Sequence, residues 1–134
     1  MKRLLALLVL FCSSVSAAEL KVAVVPDPQT GGQSVSLSWT VPAAVTGVVY
    51  TGFNVYRAPC TGTVTAAVCS TDSTATFAKL SAGTGLPATA STFTDSTVAG
   101  GTNYIYYVTS LCTTCTTQES VPSWMECLNL TGST

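Results

Sequence analysis

The chain contains no histidine. Without an imidazole an ordinary Ser–His–Asp triad cannot be built, however plentiful serine and threonine are. A zinc site, which takes four ligands, would have to converge four cysteines. Charge is nearly as scarce: Lys and Arg number 5, Asp and Glu 6, and charged residues make up 8% of the 134 positions. No basic excess exists to neutralise phosphates, so neither nucleic acid nor an anionic membrane surface is an expected partner. Beyond the first residues, apolar side chains never recur at helical spacing over ten or more positions. No later run approaches the roughly 20 apolar residues of a membrane span. Helical bundles and membrane insertion are thereby set aside, and no cofactor is expected.

What is present begins with Met1-Lys2-Arg3, an apolar stretch from Leu4 to Phe11, and the small residues Ser13 to Ala18. A positive start, a short apolar core and a small-residue cleavage site describe a secretory signal peptide. Val15 and Ala17 fit the cleavage positions, predicting a signal over residues 1–17 and one domain over 18–134; cleavage after Ala18 is the neighbouring alternative. Phe11 before Cys12 argues against lipoprotein processing, which needs a small residue there. The expected location is secreted, extracellular or periplasmic. The 117 residues that remain suit a single domain. Lys21, Arg57 and Lys79 then face Glu19, Asp27, Asp72, Asp95, Glu119 and Glu126, a net charge of −3.

Strand signals fill the rest. Ser34 to Thr40 alternates polar and apolar without a fault, placing Val35, Leu37 and Trp39 on one buried face. Gly52 to Arg57 places Phe53 and Val55 together. Tyr104 to Cys112 is aromatic and β-branched on both faces, with Tyr104, Tyr106 and Val108 in one phase, which predicts a central strand. Shorter strands are read over Leu20–Val25, Phe77–Leu80, Ser91–Asp95 and Trp124–Leu130. Residues 43–50 read as a loop with some apolar packing, 60–76 as a long cysteine-stapled loop, and 83–87 as a turn. About seven short strands separated by Pro and Gly predict an all-β two-sheet sandwich, with a barrel as the structural alternative.

Three blocks resemble the fibronectin type III family: Val35-Ser36-Leu37-Ser38-Trp39, Gly52-Phe53-Asn54-Val55-Tyr56-Arg57, and Phe93-Thr94-Asp95 through Ala99-Gly100-Gly101-Thr102-Asn103-Tyr104-Ile105-Tyr106-Tyr107-Val108. Glu119-Ser120-Val121-Pro122-Ser123 resembles the family's entry into the last strand. The resemblance spans residues 20 to 130. It implies an immunoglobulin-like sandwich in which Trp39 fills the space between the sheets. Tyr104 would be a corner tyrosine whose hydroxyl bonds backbone of the preceding turn. Two cysteine-bearing loops depart from the family pattern, around Cys60–Cys69 and Cys112–Cys115, and are where a specific function is expected.

Five cysteines remain after export: Cys60, Cys69, Cys112, Cys115 and Cys127. An oxidising compartment favours disulfides. Cys60 with Cys69 is the simplest pair, and Cys127 is expected to bridge to Cys112 or Cys115, leaving one thiol over for a homo-oligomeric link. Cys112-Thr113-Thr114-Cys115 has redox spacing but begins at a strand end in a Thr-rich loop, which reads as a loop staple. The acids are scattered and mark no glycosidase pair; Asp95 reads as a turn residue bonding nearby backbone. Trp124 reads either as packed at the sandwich edge or as an exposed contact. The expected role is a non-catalytic binding or structural module. It would contact another protein or a surface polysaccharide, in adhesion, through loops and edge strands. The alternatives are a fibre or pilus subunit, with residues 20–25 donated to a neighbour or an odd cysteine crosslinked, and a carbohydrate-binding accessory module.

Overall fold

The computed structural model describes residues 19–26, 33–60, 76–123 and 126–128, with side chains described for 34–60 and 76–123. Trp124, Cys69 and most of the 60–76 loop, including residues 64–68 where a short hairpin is an expectation from sequence, lie outside the described residues, and the side chain of Cys127 does too.

Among the described residues eight strands form two separate sheets, so the barrel is not what forms. β1 (Glu19–Pro26), β2 (Gln33–Thr40) and β6 (Thr92–Asp95) make one sheet, in the order β1-β2-β6. β3 (Tyr50–Pro59), β4 (Ala78–Lys79), β7 (Tyr104–Cys112) and β8 (Glu126–Leu128) make the other, in the order β4-β3-β7-β8. β5 (Leu86–Pro87) pairs with β3 as well. β7 is bonded on both sides, as apolar bulk on both of its faces requires. All of these pairings are antiparallel.

The dry seam follows from the period of two. Val35, Leu37 and Trp39 from β2 meet Phe53 and Val55 from β3 and Tyr104, Tyr106 and Val108 from β7, all buried. The Trp39 and Phe53 rings pack at 5.5 Å. Each such side chain contributes about 1.5–3 kcal/mol on burial, and together they hold the sheets face to face.

One turn differs from the sequence reading. Residues 86–87, expected within a turn, form β5 against Gly52 and Phe53. The pairing depends on two glycines. A Cβ on Gly52 would lie 2.1 Å from the Leu86 carbonyl oxygen. Gly85 has φ +97°, and a Cβ there would meet the Phe53 carbonyl oxygen at 2.7 Å. Glycine accepts both the left-handed backbone and the close approach. A bulge between Tyr50 and Gly52 shifts the register where β3 begins.

Candidate functional site

The two ends of the sandwich are built from different chemistry. At the end where β3 and β6 finish and β7 begins, Asp95 is 2% exposed and carries a full set of donors. Arg57 Nη1 donates to its Oδ2 at 2.7 Å, and the Tyr106 hydroxyl donates to the same oxygen at 3.0 Å. The Thr97 amide and hydroxyl donate to Oδ1 at 2.9 and 2.7 Å. Arg57 also lies over the Tyr104 ring, 4.6 Å from its centroid. Burial opposes ionisation of Asp95, but the bonds from Thr97, Arg57 and Tyr106 outweigh it and hold the carboxyl below its ordinary pKa. The Tyr104 hydroxyl accepts the Ala99 N–H at 3.2 Å, tying the strand to the preceding turn. Asp95 thus bonds nearby backbone as a turn residue, and in addition anchors an ion pair that the sequence did not reveal.

The opposite end holds the loop 41–49 and the hairpin 112–118. Neither contains a charged residue; none occurs between Thr40 and Arg57, or between Asp95 and Glu119. Val41, Val45 and Val49 are 38%, 44% and 53% exposed. Residues 43–50 read from sequence as a loop with some apolar packing; the loop turns these valines out, around Gly47 at φ +83° and a bond from the Val48 amide to the Val45 carbonyl. A single exposed valine is ordinary; here three occur in one uncharged loop.

The hairpin is fixed at several points. Cys112 and Cys115 form a disulfide. The Thr113 amide donates to the Val49 carbonyl at 3.3 Å, and the Val49 amide donates to Thr114 Oγ1 at 3.0 Å. The Cys112 amide donates to the Gln118 carbonyl and the Ser120 amide to the Ser110 carbonyl, both at 2.9 Å. Below the hairpin, Glu119 Oε1 accepts from the Asn54 amide at 3.1 Å, the Tyr56 hydroxyl at 2.8 Å and the Thr109 hydroxyl. Burial works against the Glu119 anion, yet the bonds from Thr109, Asn54 and Tyr56, with the charge of Lys79, hold its pKa below the usual value. Burial, then the Glu119 bond and charge, push the Tyr56 phenol up to about 12.

The disulfide corrects the expected bridge from Cys127 to Cys112 or Cys115. The strands are neighbours, but register separates the two residues: Cys127 pairs with Ile105, seven positions before Cys112. At strand rise that is roughly 23 Å, whereas bridged cysteines need Cα atoms within about 7 Å. Cys112 and Cys115 are 5.7 Å apart. Cys60 is also disulfide-bonded, to a cysteine whose side chain is not described. Among the described residues no three His, Cys, Asp or Glu side chains converge on a metal position. Among them, too, no helix is long and apolar enough to cross a membrane.

On the outer face of the β3–β7 sheet, Tyr56 and Tyr107 are cross-strand partners whose rings stack at 4.7 Å and 22°. Phe77 packs on Tyr107 at 4.6 Å. Rings stacked along the interstrand direction stand up from the sheet instead of lying flat on it.

Neither a protein-family model nor a curated protein matches the chain. Among solved structures, the crystal structure of a Fn3-like protein from Clostridium thermocellum is similar, at 22% identity and a TM-score of 0.51. The match covers 87% of this chain and 94% of that one. At this identity the likeness shows the fold alone, an all-β two-sheet sandwich.

Proposed function

We propose that this fibronectin type III-like module is an exported, non-catalytic binding protein that contacts another protein through the loop end of the sandwich. The observation that carries the reading is the cluster of outward valines, Val41, Val45 and Val49, in a charge-free loop that backbone bonds hold in place. A surface already fixed in one shape loses little conformational entropy on binding, so modest apolar contact suffices. Charge-depleted apolar patches are what protein interfaces place at their centres.

The two alternatives fare less well. Donation of residues 20–25 to a neighbouring subunit would break a complete ladder, since β1 pairs with β2 of its own chain from Glu19–Thr40 to Pro26–Gln33. Upright stacked rings on the outer face offer no flat platform for a sugar ring.

The test uses purified protein without residues 1–17, mixed with intact cells of the organism that makes it. Wild-type protein should be retained, retention should fall at least about tenfold in the Val45→Asp/Val49→Asp variant, and protease treatment of the cells should abolish it. Equal retention of the variant, or displacement by the cells' own polysaccharide, would overturn the reading.

A further inference from the structure

The Cys112–Cys115 ring contains two residues, Thr113 and Thr114, and both reach the valine loop. The Thr113 amide and Thr114 Oγ1 hold the carbonyl and the amide of one residue, Val49. Thr114 Oγ1 also lies 3.5 Å from Cys112 Sγ. Because the sulfur of a disulfide carries no proton, the hydroxyl is the donor there, while the same oxygen accepts from Val49. One threonine therefore touches the disulfide on one side and the 41–49 loop on the other.

This arrangement makes the shape of the loop depend on the state of the ring. With the ring closed, the torsions of Thr113 and Thr114 are restricted before they meet Val49, so their bonds cost little extra entropy. With the ring open those residues regain freedom in a hairpin where Thr113, Thr114, Thr116, Thr117 and Gln118 are all exposed. We propose that Cys112–Cys115 is a redox latch: oxidised, it holds the valine loop in its contact-ready shape; reduced, it lets go. The inference rests on the reading of that loop as a contact surface.

The chemistry is two-electron thiol–disulfide exchange with a small or protein dithiol as reductant. Cys112 is 2% exposed, and Cys115 is only half-buried, among exposed threonines. The entering thiolate therefore attacks Cys115 Sγ. The Cys112–Cys115 bond breaks, and Cys112 departs as a thiolate, which takes a proton from solvent. Thr114 Oγ1 is placed to donate to that departing sulfur. The second thiol of the reductant then attacks the mixed disulfide, frees Cys115 as a thiol and leaves the reductant as its own disulfide. The pair lies at a strand end, not at a helix N-terminus, so it lacks the feature that makes a CxxC attack other proteins. It is the substrate of exchange, not the catalyst.

Amide hydrogen exchange tests the latch without any partner. In oxidised wild-type protein and in Cys112→Ser/Cys115→Ser, which leaves the Cys60 bridge intact, exchange is read at Val49 and Thr113. It is also read at Val55 and Val108, whose amides donate to buried Ser81 and Ser123 hydroxyls. The variant should exchange about tenfold faster at Val49 and Thr113, with far smaller change at Val55 and Val108. Thr114→Val, which keeps the disulfide, should accelerate Val49 alone. Unchanged exchange at Val49 in both variants overturns the latch, as does equal acceleration at all four amides, which would make the bridge a support of the whole fold. If exchange responds as expected while cell retention ignores both the bridge and the Val45→Asp/Val49→Asp change, the latch stands and the contact surface falls.

Discussion

The ends of this sandwich lie about one strand length apart and have opposite economies. At one, Arg57 and Asp95 are drawn into the interior and every oxygen of the carboxylate is answered by a donor. At the other, valines face water and neither the 41–49 loop nor the 112–118 hairpin carries a charge. A chain with so few charges places an ion pair where a strand end must be pinned and keeps the far loops free of charge. The proposed reading is a division of labour, in which one end holds the fold and the other makes contact. If that is correct, substitutions at the two ends should have separable effects.

The largest effect is expected at Asp95. Asp95→Ala strips the carboxylate from Arg57, which keeps only its bond to Thr97, and leaves the buried Tyr106 hydroxyl without its acceptor. Removing one member of a buried ion pair costs roughly 3–5 kcal/mol, read as a lowered urea midpoint with unchanged slope. Asp95→Asn, which keeps an acceptor for Thr97, should lose less. The same groups fix the acid response. Asp95 and Glu119 both have depressed folded-state pKa values, so each adds stability that is complete above the ordinary carboxylate range. That stability is lost as pH falls through the folded value. Stability should therefore decline below about pH 4, and Asp95→Asn should flatten the decline; an equally steep acid limb in that variant would place the linkage elsewhere.

A smaller loss belongs to the corner. Tyr104→Phe removes the acceptor of the Ala99 amide and nothing else that the structure gives that hydroxyl. The expected cost is about 1 kcal/mol, with cell retention unchanged because the corner lies at the end away from the valines. A change in retention would break the separation between the ends.

How much of this was legible beforehand follows the range of the interactions. The eight core side chains declare themselves through alternation within β2, β3 and β7, a local pattern that packing then obeys. The corner role of Tyr104 is legible through the family resemblance, and its partner is five residues away. Arg57 and Asp95 are 38 residues apart, and Asn54 and Glu119 are 65; only the register of both sheets brings them together, and no local signal encodes a register. The same gap misdirected the cysteines, since strand adjacency without register put Cys127 beside Cys112. β5 escaped because two paired residues make no periodic pattern, and its existence depends on Gly85 adopting a left-handed backbone. The outward valines escaped for a different reason: apolar residues in a loop look like packing until a backbone is drawn through them.

The smallest expected effect is the sharpest use of the comparison. Val45→Asp/Val49→Asp places two carboxylates at the uncharged end, on side chains already facing water and touching none of the core cluster. Exposed substitutions away from caps and buried networks usually move stability by less than about 0.5 kcal/mol. The urea midpoint should therefore match wild type, while retention by cells collapses. If the midpoint instead falls as far as in Asp95→Ala, the valine loop is a piece of the fold turned outward. The two ends would then differ in composition but not in purpose. A midpoint that stays put while retention is lost can arise only if the loop acts on something outside the chain.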